Sequence, residues 1–416
     1  MQPSLTWARM LPEAYKRVLG APGVGQPLIG VVIGRLSIAA EPLSTVLLVH
    51  GATGSFASAG AVMGAYSIAA AIGLPVQGRI MDRIGQTPVI LTTTAINAAG
   101  FVVLILLAHG GASTVALCAV AGIAGLGTIP TGAAMRTLWT ELVPDAELMQ
   151  AAFAVDAVAI DVAFIVGPVI AAAVIALASP TASLGVCIAM TVLGSAVFAS
   201  SRASRAWHGA PAHHRRIGPL RSAGVWVLMG SALGVGLAVG AAELAITAFA
   251  SDHGAAELGG TLIAVQALAS TAGGLWYGVR SWRTPPGERL PGVTFVFAIT
   301  LAPLVAVPSL AAAFPLMALS GLALAPAISL IYLLLDSLAP TGTAAEATGW
   351  VLTAIVGGAA VGNAAAGVAV NEVSPHAGLA IALLGGVVAF AAAWLGRARL
   401  SEPAAREQPF ARVHSM

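Results

Sequence analysis

The chain has 416 residues, of which 58% are hydrophobic and only 9% charged, with a formal net charge of +2 and a mean hydropathy of +0.91. A soluble domain carries about a quarter charged residues, so this composition excludes a water-facing globular fold. Runs of roughly twenty apolar residues recur, each long enough at 1.5 Å per residue to cross a hydrocarbon core of about 30 Å.

In chain order, residues 1–26 are basic and amphipathic (TWARMLPEAYKRVLG) but show no short apolar core ending in a small-residue cleavage site. They read as a cytoplasmic N-terminal segment, with the first span acting as its own insertion signal. Spans are predicted over 27–49, 57–78, 88–108, 113–137, 149–177 and 182–200, giving an N-terminal six-helix bundle, 27–200. The polar stretch SRASRAWHGAPAHHRRIGPLRS makes 201–222 a basic cytoplasmic linker, whose charges would equally suit an anionic lipid surface. Spans follow over 223–250, 257–279, 290–308, 312–335, 346–370 and 377–396, giving a C-terminal bundle, 223–397, and a cytoplasmic tail, 398–416. Cys118 and Cys187 both fall inside apolar runs, so neither a disulfide framework nor a CxxC metal site is expected.

Twelve spans put every Lys and Arg except Arg35 on one side, the side of both termini. The opposite loops, near His50, His109, Asp252 with His253, and Glu372 with His376, contain neither. The positive-inside rule makes the basic side cytoplasmic, and low Lys with high Ala, Gly and Arg suggests a bacterial chain, so the expectation is a multi-pass protein of a bacterial inner membrane. The outer histidines read as exposed loop residues that titrate near neutrality.

The halves echo one another. AIGLPVQGRIMDR in the second span aligns with TAGGLWYGVRSWR in the eighth, matching Gly73 and Gly78 to Gly273 and Gly278. VAGIAGLGTIP in the fourth span resembles LSGLALAP in the tenth, and together the matches suggest a duplicated six-span unit. Small-xxx-small runs such as GAVMGAYSIAAA and VGGAAVGNAAAG point to close helix packing.

The loop after the second span reads GRIMDRIGQ, three charges and two glycines between nearly uncharged stretches. It resembles the signature of the major facilitator superfamily at this place, G-x-x-x-D-[RK]-x-G-[RK]-[RK]. Gly78, Asp82, Arg83 and Gly85 match, whereas Gln86 and Thr87 replace the usual basic pair. The resemblance implies an all-α fold of two pseudo-symmetric six-helix bundles that rock about a central cavity. It also implies a cytoplasmic latch in which Asp82 meets an arginine at the inner end of the fourth span, here Arg136, and the start of the eleventh span. FIVGPVIAAAV in the fifth span looks like a shortened Gly-Pro motif of the proton-coupled exporters of this superfamily; Gly167 and Pro168 would bend the helix at the seam between halves. The mid-span arginine that multidrug exporters often carry in the fourth span is absent.

An ionisable side chain near mid-membrane costs about 2.5–3.5 kcal/mol on insertion scales, so each needs a partner, a wet cavity or a task. Arg35 and Glu41 lie in the first span, Asp156 and Asp161 in the fifth, Glu243 in the seventh. Six residues separate Arg35 from Glu41, which puts them on different helix faces. Asp156 or Asp161, at similar depth on the fifth span, is therefore the expected partner of Arg35. That leaves a spare carboxylate for proton coupling, in the order Asp161, Glu41, Asp156. Glu243 has no charged partner in its own span: it could bind substrate, sit protonated against a hydroxyl, or lie near the outer interface.

Among the remaining polar residues, Tyr66, Asn97, Gln266, Trp350 and Asn363 fit packing as well as binding. The resemblance implies a cavity lined by spans one, four, seven and ten, which favours Thr128, Thr131 and Tyr332. Glu141, Asp336 and Glu346 sit near inner helix ends and suit capping or salt bridges between the halves. No HExxH, GxSxG or P-loop signature occurs, so neither an enzyme nor an ATP-driven pump in one chain is indicated.

The expected function is secondary transport by alternating access: proton-coupled export of a small, partly apolar compound by a monomer, with protons and the lipid bilayer as partners and no cofactor, metal or nucleic acid. A sugar or metabolite symporter or facilitator is the alternative within transport, disfavoured by the scarcity of Asn, Gln and aromatic side chains in the spans. A non-transporting membrane sensor on a transporter fold is the alternative of another class.

Overall fold

The computed structural model describes residues 15–143, 146–207, 219–280, 282–339 and 344–400. Most of the N-terminal segment, the tail beyond residue 400 and the centre of the linker lie outside them. Twelve helices are long and apolar enough to cross a membrane. They are α1 (Gly25–Thr53), α2 (Phe56–Ile84), α3 (Gln86–His109), α4 (Thr114–Leu126 and Thr131–Leu142), α5 (Ala146–Leu177) and α6 (Pro180–Ala199). Then follow α7 (Ala223–Asp252), α8 (Leu258–Val279), α9 (Pro286–Leu301, continued by a 3-10 turn Ala302–Ala306), α10 (Leu310–Gly321 and Leu324–Leu338), α11 (Ala344–Glu372) and α12 (Pro375–Leu395).

Five of the six span starts at the histidine-bearing face share one device, α8 after Glu257 being the exception. Ser55, Ser113, Ser179, Ser309 and Ser374 each stand in extended backbone and accept the N–H three residues on, opening α2, α4, α6, α10 and α12. Each satisfies one of the donors that a helix start leaves free, which matters most close to lipid, where water cannot.

Helices α1–α6 pack into one bundle around α1, and α7–α12 into another around α7. Apolar burial distinguishes helices little in a solvent as apolar as lipid tails, so close backbone approach holds them. A side chain at Gly236 would collide with the carbonyl of Ile355 on α11, and one at Gly358 with that of Leu233 on α7. The duplicated motif is visible as a repeated contact: Gly73 lies on the carbonyl of Leu126 in α4, and Gly273 on that of Leu322 in α10.

The matched sequences GLGTIP and GLALAP do more than pack. Both α4 and α10 are interrupted there, after Leu126 and after Gly321. The fourth and tenth spans expected over 113–137 and 312–335 are present as Thr114–Leu142 and Leu310–Leu335, each with this local break. Gly127 and Pro130 account for the α4 break, since one favours leaving the helix and the other cannot donate to it. The carbonyls freed at the α4 break are taken up from neighbouring helices. Asn97 of α3 donates to Ala124 O at 3.1 Å and Gln77 of α2 to Leu126 O at 2.6 Å.

The bundles meet along α2–α11 and α5–α8. Their close approaches lie toward the histidine face: Gly60 against the Asn363 carbonyl, Gly367 against Phe56, and Gly260 against the Pro168 carbonyl and Leu43. Among the described residues the side-chain hydrogen bond between bundles is at the same end, Ser55 Oγ to Asn371 Oδ1, 2.9 Å. Toward the basic face, Gly78 on α2 and Gly349 and Gly357 on α11 have open space around them. The structure is closed at the histidine face and parted at the basic face.

Candidate functional site

The intramembrane charges of the first bundle separate into two sites. Arg35 is 6% exposed and Asp156 4%; Nη2 of Arg35 stands 2.9 Å from Oδ1 of Asp156. Nη1 also donates to the Asp156 backbone carbonyl at 3.2 Å. Of the two acids open to Arg35, the structure joins it to Asp156. This is the ion pair among the described residues, and it holds α1 to α5.

Glu41 lies six residues further along α1, about 9 Å by helical rise, and is 3% exposed. Its carboxyl group meets only neutral hydroxyls. Tyr66 of α2 donates to Oε2 at 2.9 Å, Ser37 to Oε1 at 3.0 Å, and Thr191 of α6 to Oε1 at 3.5 Å. Thr128, in the α4 break, donates to the Tyr66 hydroxyl at 3.1 Å.

Ser37 has one hydrogen and three neighbours that can take it: Glu41, the Cys187 carbonyl at 2.8 Å and Thr191 Oγ1 at 2.6 Å. A hydroxyl both donates and accepts. The shell can therefore solvate a carboxylate, by pointing hydrogens at it, or a carboxylic acid, by turning one away and accepting. A buried carboxylate costs far more when unpaired than when hydrogen-bonded, and this shell supplies the bonds without a compensating cation.

Asp161, placed first among the proton candidates by sequence, is half-buried on α5, and no hydrogen bond or ion pair reaches it among the described residues. Glu243 on α7 is also half-buried; the bond at this position is from the Thr247 hydroxyl to its backbone carbonyl, 2.7 Å. Thr131 turns its methyl toward Gly34 on α1, 3.5 Å from where a Cβ would sit. Tyr332 on α10 is half-buried and within the electrostatic reach of Arg136 across the gap between the bundles.

The structure does not bring Asp82 against Arg136. Both are exposed, as is Arg83, and no ion pair joins them among the described residues. The two departures from the loop signature instead hold the loop inside its own bundle. Gln86 is fully buried and donates to Thr137 of α4 at 2.7 Å; Thr87 and Ser204 share a hydrogen bond at 3.2 Å. Gly85 has φ +90°, open to glycine at little strain, and lies against the Trp207 carbonyl. Gly167 packs α5 onto α1 at the Leu36 carbonyl, while the carbonyl of its neighbour Pro168 faces Gly260 of the other bundle.

Of the four histidines expected at exposed positions of this face, His109 and His253 are exposed and His50 and His376 half-buried. His50 stacks on Phe56 with centroids 3.8 Å apart, His253 lies on Phe249, and His376 Nε2 is 3.0 Å from the Val307 carbonyl. Asn363 bonds back to Ala359 O at 2.9 Å, and Gln266 donates to Ser320 at 2.9 Å, so both serve packing. Glu141 is exposed at the basic end of α4, and the side chains of Asp336 and Glu346 lie outside the described residues.

Two six-helix bundles with paired breaks in their fourth helices, closed at one end around buried polar groups, define a membrane transporter of small molecules rather than an enzyme. The Major Facilitator Superfamily model matches residues 28–363, and the chain belongs to that superfamily. Among solved structures it is similar to the nucleoside transporter NupG, with a TM-score of 0.71 at 12% identity, covering 91% of this chain and 98% of that one. It is also similar to a bacterial homologue of the iron transporter ferroportin in the inward-facing state: TM-score 0.67, 16% identity, 89% and 98% covered. A third is a bacterial homologue of the human lysosomal transporter Spinster, inward-facing and unoccupied: TM-score 0.65, 14% identity, 93% and 98% covered. At such identities the likeness shows the fold alone. No curated protein sequence matches the chain significantly.

Proposed function

We propose that the protein is a proton-coupled exporter of a small, partly apolar compound, with Glu41 as the group that takes and releases the proton. One observation carries this reading: Glu41 is almost fully enclosed and is met only by hydroxyls. Asp156 is committed to Arg35 and so is the poorest carrier; Asp161 is second to Glu41 for want of a shell that serves both protonation states. The apolar walls of the spans favour an apolar substrate, and Thr128 connects the Glu41 shell to the α4 break, a position where transporters of many folds place their ligands. Tyr332, Thr131 and Glu243 are the further cavity contacts.

In this reading the basic face is cytoplasmic in a bacterial inner membrane, with both termini inside, and the structure is the inward-facing state of a monomer. The Asp82–Arg136 latch forms when the bundles close at that face. Protonation favours one state and substrate the other, so each shifts the population that the other binds.

The test is proton movement in proteoliposomes loaded with a pH-sensitive dye, across a compound panel, for the parent, Glu41→Gln and Asp161→Asn. The expected result is compound-dependent proton movement lost in Glu41→Gln and kept in Asp161→Asn. Parent-like coupling in Glu41→Gln overturns the assignment.

A further inference from the structure

A second site lies in the other bundle, away from Glu41. Helices α8 and α9 each pack on α10 but barely meet one another. The furrow between them is a cavity of about 590 Å³ floored by Gly273, Leu322, Ala323 and Pro326 and walled by Trp276, Val293 and Val296. That is the size of a small-ligand site, yet it is almost wholly apolar along its length. It opens sideways: Trp276 is 58% exposed and Val296 50%, on a surface that faces lipid in a twelve-span protein.

At its basic-face end the furrow changes character. Trp282 donates its indole N–H to the Tyr277 carbonyl at 3.0 Å and stands between two guanidinium groups, Arg280 at 5.2 Å and Arg289 at 5.4 Å from its ring. Arg280 also covers Trp276, and Arg289 covers Tyr277 and donates to its hydroxyl at 2.7 Å. Cation–π contact orients these cations without neutralising them. No carboxylate pairs with either among the described residues, Glu288 being exposed beside them. Nε of Arg289 is buried with no hydrogen-bond acceptor. Arg289 also stands in the first turn of α9, where the helix dipole disfavours a cation and favours an anion.

We propose that this furrow is a binding site for one anionic phospholipid of the adjoining leaflet. Its phosphate meets Arg280 and Arg289 and the start of α9, and an acyl chain lies along the furrow over Gly273 and Val296. Apolar length with an unneutralised cationic head at leaflet depth fits a lipid better than a soluble anion, which would leave the furrow empty. The lipid fills the gap between α8 and α9 that protein packing leaves, and so props α8, the helix that meets α5 at the seam between bundles.

The experiment is native mass spectrometry of the full chain released from micelles containing equal phosphatidylglycerol and phosphatidylcholine. The chains compared are the parent, Arg280→Gln/Arg289→Gln, Val296→Trp, which blocks the furrow from its lipid-exposed wall, and Arg397→Gln. Arg397 stacks on Trp394 at the same face and does not line the furrow. The expected result is one retained phosphatidylglycerol on the parent and on Arg397→Gln, and at least a tenfold drop for the other two. Glycerol phosphate in solution should leave the retained lipid in place. Equal retention of both lipids by the parent, displacement by glycerol phosphate, or parent-like retention in the double variant and in Val296→Trp would each overturn the proposal. Should either variant not fold, quenching of parent tryptophan fluorescence by brominated phosphatidylglycerol over brominated phosphatidylcholine decides in its place.

Discussion

Tyr66 and Gln266 occupy equivalent places in the two bundles, seven residues before the glycines that lie on the broken fourth helices. In the first bundle Tyr66 bridges Glu41 to Thr128. In the second, Gln266 bonds Ser320, whose hydroxyl turns back to its own helix at Met317, and the network ends there. One scaffold thus carries an ionisable centre in one copy and a neutral staple in the other. Of the charged residues deep within the spans, Arg35, Glu41, Asp156 and Asp161 lie in the first half and Glu243 in the second, without a counterpart of the Glu41 shell among the described residues.

The largest effect should come from the buried ion pair of the first bundle. Arg35→Met leaves Asp156 buried and unpaired, and should cost about 3–5 kcal/mol of stability. Arg35→Met with Asp156→Leu should recover most of it, and thermal unfolding in detergent reads both. Next, Tyr66→Phe removes a donor to Glu41, a loss of about 1.5–3 kcal/mol if the acceptor is charged, and should slow proton-coupled flux by roughly 10- to 100-fold. Gln266→Leu should slow the same flux by less than about threefold, since replacing a neutral staple by a similar volume is cheap; equal effects would erase the contrast between the bundles.

Gly273→Val drives a side chain into the Leu322 carbonyl, and should cost about 1–3 kcal/mol as overpacking does. Gly73→Val, with its nearest backbone oxygen at 3.0 Å, should cost less, which the order of melting temperatures will show. The smallest effect belongs to the seam itself: Asn371→Ala removes the bond from Ser55, worth about 0.5–1.5 kcal/mol, and leaves the α2 cap in place. It should raise labelling of a cysteine at Ala364, which faces Gly64 across the seam, from the histidine face by less than about tenfold.

Much of this arrangement is written locally and could be read from the chain. Span lengths, charge asymmetry and the Gly73–Gly273 repeat depend on residues near one another in sequence. The need of Arg35 for an acid on another helix follows from cost alone, although geometry was required to choose Asp156 over Asp161. The Glu41 shell was only half legible. Ser37 sits one turn away on the same helix and could have been noticed, but Tyr66, Thr191 and Thr128 arrive from three other helices. The break in α4 was hidden because hydropathy runs through GLGTIP unchanged, while the signal was the pairing of glycine and proline with Asn97 and Gln77 as distant acceptors' partners. The pairing of Gln86 and Thr87 with Thr137 and Ser204 had no signal beyond their departure from the loop signature.

The outer seam has a further consequence. It is assembled from Gly60, Gly260 and Gly367 resting on main-chain oxygens, so parting it breaks no ion pair among the described residues. Ionic strength should hardly change how readily that entrance yields, whereas lateral pressure from the surrounding lipid, which squeezes or relaxes helix against helix, should change it strongly.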